Sequence, residues 1–222
     1  MTQSPTRALL LNINLSSRTR EGSERLAEAL METGSGVRVR LVHWQDAGPR
    51  LMRSFRPHAL ILGPNGTPFA RYPTRFLTFL RWLKRRRGAT LGVCGGHQAI
   101  ALAHGAHVAP VFGDSPATDS YDGMARIDGP QDVRLLGDPD PLLTGLPREL
   151  TVIARHVDEV KQVPDGFHLL GIGAPTHVQI MRANQAPIYG VQFHPEFSSP
   201  ESPAWRLLHN FMTLASPGAC FG

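Results

Sequence analysis

Short apolar runs alternate with amphipathic stretches through the first half of the chain. Arg7–Ile13 and His58–Leu62 carry unbroken apolar runs, Ala8–Leu11 and Ala59–Leu62, which predicts strands buried on both faces. Gly22–Thr33 places Leu26, Ala27, Leu30 and Met31 on one side of a helix. Val37–His43 alternates valine and leucine against Arg38 and Arg40, predicting a strand near a sheet edge. A second helix starts near Thr74, with Phe76, Leu80 and Leu83 at helical spacing. Leu91–Val93 then reads as a short buried strand, and Gln98–His104 as a helix stopped by Gly105. The order β-α-β-β-α-β-α predicts an α/β fold: a three-layer, open, mostly parallel sheet with helices on both faces.

The pattern changes after Val108. Short strands are predicted at Val108–Phe112, Met124–Ile127, Leu150–Arg155, Phe167–Gly171, His177–Met181 and Ile188–Gln192. Thr151 to Gln192 reads as a largely antiparallel return, and Asp114–Gly123, polar and turn-rich, as a mobile loop. Pro203–Leu214 closes the chain as a helix burying Trp205, Leu208 and Phe211 or Met212. Without an internal repeat or a linker, residues 1–222 read as one domain.

Composition narrows the function classes. Two cysteines, Cys94 and Cys220, make no disulfide framework and suit a reducing compartment. Met1–Thr6 is polar, the apolar run Ala8–Leu11 is too short for a signal peptide, and no stretch reaches the ~20 residues of a membrane span. The expectation is a cytoplasmic protein with no membrane partner. The net charge of +5 is concentrated partly in Arg81–Arg87, and the basic run Lys84–Arg87 reads as a solvated helix end. Without interleaved aromatics it is not a nucleic-acid site. A partner-docking role for it stays open.

The chemistry concentrates in two places. Gly92-Val93-Cys94-Gly95-Gly96 puts a thiol at a strand-to-helix corner between glycines, the thiol version of a nucleophile elbow. The helix that follows aims free N–H groups and a partial positive charge at the sulfur. Tyr189–Glu196 delivers His194 from the end of a strand, with Glu196 two residues on, able to bend back onto the imidazole. Cys94, His194 and Glu196 are the types that a nucleophile, a base and an orienting group require. His97, His104 and His107 lack any cysteine or carboxylate spacing that would complete a zinc site, so no metal is expected.

The segments LGVCGGHQ and YGVQFHPE, in this order and separation, resemble the signature of class I glutamine amidotransferases. The stretch GLPRELTVIARHVDEVKQVPDGF, running on to APIYGVQFHPEF, is similar to the glutamine-hydrolysing subunit or domain of GMP synthetases. The resemblance implies a flavodoxin-like sheet and attack of Cys94 on the side-chain amide of L-glutamine. In that scheme His194 shuttles the proton, Glu196 orients His194, and a γ-glutamyl thioester is hydrolysed by water. It further implies backbone N–H groups of Gly95 and Gly63 as an oxyanion hole, with Gly66 a rival to Gly63. Gln98 and the backbone at His156 and Val157 would hold the substrate. No cofactor is implied.

Two positions depart from the family pattern: Leu62-Gly63-Pro64-Asn65-Gly66 replaces the usual glycine-rich oxyanion loop, and Arg155-His156-Val157-Asp158 replaces Ser-His-Gly-Asp. Since the sequence contains no P-loop, the expected partner is a separate ammonia-accepting synthetase. Gly63–Pro68 is the loop expected to move when that partner docks. A stand-alone γ-glutamyl hydrolase, and a non-catalytic regulatory protein on the same fold, are the alternatives.

Overall fold

The computed structural model describes residues 5–34, 36–113, 119–137 and 139–218. Cys220 and much of the Asp114–Gly123 segment lie outside them. Strand β1 (Thr6–Asn12) leads through α1 (Glu21–Glu32) to β2 (Val37–His43). Helix α2 (Pro49–Phe55) then crosses to β3 (Ala59–Leu62). Helix α3 (Arg75–Lys84), β4 (Thr90–Val93) and α4 (Gly95–Ala103) follow. The second half carries β5 (Val108–Pro110), β6 (Ile127–Leu135), β7 (Glu149–His156), β8 (Asp158–Val160), β9 (Phe167–Gly173), β10 (Val178–Ala183) and β11 (Ile188–Val191). Helix α5 (Pro203–Leu214) ends the described fold.

One sheet runs β2-β1-β3-β4-β11-β10-β9-β6-β7, and β5 pairs with β8 in a separate ribbon. From β2 to β11 all pairings are parallel; from β11 to β7 all are antiparallel. Side chains alternate across the pleat as strand geometry requires. Ala8 and Leu10 join Leu26 and Leu30 of α1 and Leu208 of α5 on one face. Leu9 and Leu11 join Phe76 and Phe79 of α3 and Ile100 of α4 on the other. Each such fully buried leucine contributes on the order of 1.5–3 kcal/mol. The three-layer arrangement follows from this two-sided burial, and β2, with Arg38 and Arg40 exposed, is the edge strand.

Three sequence expectations need correction. Between β2 and β3 lies α2, seven residues long and too short to show a period; Pro49 opens it, and Leu51, Met52 and Phe55 pack on the second core. A helix belongs there because parallel strands need a crossover. The strand expected at Met124–Ile127 begins at Ile127 and continues to Leu135, through Gly129 and Pro130. Pro130 is tolerated because its partner Ile153 turns its carbonyl away, toward the His194 N–H at 2.8 Å. The three-residue strand β8 carries no periodic signal and exists through its pairing with β5. Gly105, at φ +90°, ends α4 as expected.

Arg87 donates to the carbonyls of Lys84 and Arg86, so the basic run closes the end of α3. Among the described residues no helix is long and apolar enough to cross a membrane.

Candidate active site

Cys94 sits between β4 and α4 with φ 51° and ψ −106°, a backbone region costly for a side-chain-bearing residue. The surrounding glycines make that corner sterically feasible. A Cβ on Gly92 would collide with the Gly96 carbonyl, and one on Gly96 would collide with the Leu62 carbonyl. On Gly95 it would stand 2.7 Å from the Asn65 nitrogen. Strand, helix and the loop after β3 are therefore in backbone contact around the thiol.

β11 lies beside β4, pairing Val191 with Val93, so its carboxyl end brings His194 to the same rim of the sheet. Pro195 turns the chain into a short 3-10 turn. There His194 donates through Nδ1 to Glu196 Oε1 at 2.7 Å, with both side chains buried. The imidazole and the Cys94 sulfur lie side by side at the Arg155 carbonyl, close enough to interact electrostatically. Burial opposes a charge on His194, but the sulfur and the Glu196 carboxylate outweigh it and raise the imidazole well above its ordinary value. The ring thus holds a proton beside the sulfur, the arrangement required to protonate a leaving amine. Alternate carbonyls of β7 complete the seat: Ile153 holds the His194 backbone, and Arg155 accepts from Cys94 Sγ at 3.6 Å and faces His194 Nε2 at 3.4 Å.

A layer of amides surrounds this group. Gln192 Nε2 lies 3.9 Å from Cys94 Sγ, and its Oε1 lies 3.3 Å from Gln98 Nε2. Gln98 also donates to the Asp158 carbonyl at 2.6 Å, as does His156 Nδ1 at 3.0 Å. Burial pushes His156 down to about 4, so the ring is neutral with its proton on Nδ1. The Val157 carbonyl accepts from Val111 N–H at 2.8 Å. Gln98 and His156 thereby share the Asp158 carbonyl beside Cys94, whereas the Val157 carbonyl is taken up by Val111. Gln192, Asp158 and Tyr121, which donates to Asp158, were not singled out from the sequence. The first lies inside the YGVQFHPE motif, whereas the last had no signal beyond a polar, turn-rich surrounding.

The loop after β3 corrects one expectation. Gly63 N–H donates to the Leu11 carbonyl at 3.0 Å, extending the β1–β3 ladder, so it is not free for an oxyanion. Gly66 N–H is likewise taken, by Asn14 Oδ1 at 3.2 Å. Asn65 is the residue whose backbone faces Gly95, and among the described residues neither of these two N–H groups has an acceptor. Asn65 is held by its side chain: Oδ1 accepts from Thr67 N–H at 2.9 Å and lies 2.8 Å from the Tyr72 hydroxyl.

The remaining histidines are scattered. His97 is buried against Gly190 and pushed by burial down to about 3, and His104 packs edge-on to Phe167 at 4.8 Å. Among the described residues no three His, Cys, Asp or Glu side chains are placed to hold a metal.

Comparison with known proteins places this geometry in context. The profile of the family described as glutamine amidotransferase class-I matches residues 21–213. The glutamine-hydrolysing GMP synthase subunit of Archaeoglobus fulgidus is 38% identical over 115 residues, covering 52% of this chain and 56% of that protein. Its counterpart from Methanosarcina mazei is 42% identical over 124 residues, 56% of this chain and 58% of that protein. The chain thus spans little more than half the length of these relatives. The Methanothermobacter thermautotrophicus protein of the same name is 35% identical over 155 residues, 70% of this chain and 73% of its own. A crystal structure of a candidate GMP synthase subunit from Thermoplasma acidophilum superposes with a TM-score of 0.73 at 24% identity, covering 96% of each chain. A glutamine amidotransferase from Thermotoga maritima gives 0.64 at 17% identity, over 86% of this chain and 76% of that one. These two likenesses carry the fold.

Proposed function

The chain belongs to the class-I glutamine amidotransferases, and on that premise we propose that it hydrolyses the side-chain amide of L-glutamine and passes the ammonia to a separate synthetase. The observation that carries this reading is Cys94 on its positive-φ corner, sharing the Arg155 carbonyl with an imidazole that Glu196 holds from behind.

In this reading the Cys94 sulfur attacks the γ-carboxamide carbon. The tetrahedral oxyanion forms against the N–H groups of Gly95 and Asn65, each donor supplying ~2.7–4 kcal/mol of barrier lowering. His194 gives its proton to the departing nitrogen, and ammonia leaves behind a γ-glutamyl thioester. His194, now neutral, takes a proton from water as the water attacks the thioester, and glutamate is released. Glu196 keeps the His194 ring oriented and offsets its charge in both steps. The name shared by the relatives supports a GMP-forming synthetase as the ammonia acceptor.

The test is glutamate release from L-glutamine by the pure protein, with Cys94→Ser as the control. The serine variant is expected to fold, with the same circular dichroism, and to lose the activity. Unchanged activity in that variant would refute the assignment. Fast hydrolysis of γ-glutamyl amides with glutamine untouched would point to the stand-alone hydrolase.

A further inference from the structure

Asp158 joins two parts of the molecule that are far apart in sequence. Its carbonyl receives Gln98 Nε2 and His156 Nδ1, both from the layer around Cys94. Its side chain receives the Tyr121 hydroxyl on Oδ2 at 2.7 Å. The other carboxylate oxygen, Oδ1, is buried and has no donor among the described residues. The neighbouring cation, Lys161, is engaged with Glu159 and the Pro110 carbonyl. Tyr121 is therefore the side chain that anchors this carboxylate. Burial and the hydrogen bond to the Asp158 carboxylate raise the phenol, which stays protonated and remains a donor.

We propose that Tyr121 is a positioning residue of the glutamine pocket, acting through Asp158 to hold Gln98 and His156 in place. The physical reason is the cost of an unpaired buried carboxylate. Without the Tyr121 hydroxyl, both oxygens of Asp158 would lack a donor among the described residues, and the side chain would rotate toward water. Its carbonyl belongs to the same residue, so the seat shared by Gln98 and His156 shifts with it. Tyr121 lies outside the sheet, in a turn closed by Met124 N–H on the Tyr121 carbonyl at 3.2 Å. The pocket is thus tied to a surface segment, and a partner that moved this segment would alter glutamine affinity without touching Cys94. This inference rests on the glutaminase reading above and names a control on that same site.

The test compares Tyr121→Phe, Asp158→Asn and Asp158→Ala in steady-state glutaminase assays. Calorimetric titration of glutamine onto the Cys94→Ala protein, with and without Tyr121→Phe, measures binding independently of turnover. Tyr121→Phe is expected to raise KM about tenfold with kcat within threefold, and to weaken glutamine binding by the same factor. Asp158→Asn keeps an acceptor for the phenol and is expected to raise KM less than Asp158→Ala does. Asp158→Ala is expected to match Tyr121→Phe, and the double variant to be no worse than Asp158→Ala alone. If Tyr121→Phe left KM and glutamine binding unchanged while the unsubstituted protein hydrolysed glutamine, the inference would be overturned and the glutaminase reading would stand. A parallel loss of kcat and melting temperature at constant KM would overturn it equally, as a purely structural effect. Absence of both glutamine binding and hydrolysis in the unsubstituted protein would instead overturn the glutaminase reading.

Discussion

His194 and Glu196 are two residues apart, yet the imidazole donates to the carboxylate at 2.7 Å because Pro195 turns the chain between them. The contact commits Nδ1 to Glu196 and leaves the Nε2 proton as the one the ring can give up. Glu196→Gln retains the shape but removes both the charge and the obligate acceptor. Turnover is expected to fall about 10²–10⁴-fold, as when the orienting acid of a catalytic triad is neutralised. KM for glutamine should remain within about twofold, since Glu196 acts on His194 rather than on substrate. The His194 ring should also lose its proton at lower pH, which its NMR titration would reveal. Full turnover at saturating glutamine with a raised KM would make Glu196 a binding residue.

Cys94 gives a second prediction through its backbone. At φ 51° a side chain is strained and glycine is not, by a margin of about 1–3 kcal/mol for such outliers. Cys94→Gly and Cys94→Ala should both be inactive, but the glycine variant should be the more stable, reversing the usual order. Urea denaturation of the two variants decides this. Greater stability of the alanine variant would show that the corner relaxes once the sulfur is gone.

Asn65 supplies a third. Replacing the residue by its α-hydroxy acid analogue converts one backbone N–H to an ester oxygen with little change of shape. At position 65 this should lower kcat by about 10²–10³-fold, the usual effect of losing one oxyanion donor. At position 63, where the N–H belongs to the β1–β3 ladder, stability should fall instead and kcat should hold. The opposite pattern would return the oxyanion role to Gly63.

These contrasts mark how far the sequence could be read. Cys94, His194 and Glu196 were legible because a nucleophile corner and a histidine followed two residues later by a carboxylate are local features. The sheet beneath them was legible too, since β1 has an unbroken apolar run from Ala8 to Leu11, β3 is apolar throughout, and α1 and α5 are periodic. Asn65 was not, because the choice among N–H groups of one loop depends on which of them the Leu11 and Asn14 acceptors consume. Tyr121 and Asp158 meet across 37 residues, a distance that no period bridges. Strand β6 was expected only as Met124–Ile127; its long pairing with β7 carries it through Gly129 and Pro130, overriding local preference.

The buried histidines set the expected pH dependence of stability. His97 and His156 are pushed down by burial to about 3 and about 4, while in the unfolded chain they titrate near 6.5. Between pH 6.5 and about 4 the unfolded state therefore takes up two protons that the native state refuses. Their stabilising effect is complete above pH 6.5 and is lost as the pH falls, with a combined limiting slope of about 2.7 kcal/mol per pH unit. Asp158, raised by burial, opposes this at the acid end, because its native form binds a proton more readily than the unfolded chain does. His194 acts at the other end. Its native pKa is raised, so its contribution is complete below pH 6.5 and disappears as the pH rises through the native value. Stability should consequently peak near pH 6.5 and fall toward both sides, more steeply toward acid. Urea unfolding from pH 4.5 to pH 9 tests the shape, and the Cys94→Ala/His194→Gln protein should lose the alkaline limb while keeping the acid one. A profile that stayed flat from pH 6.5 to pH 4.5 would mean that His97 and His156 become protonated within the folded protein.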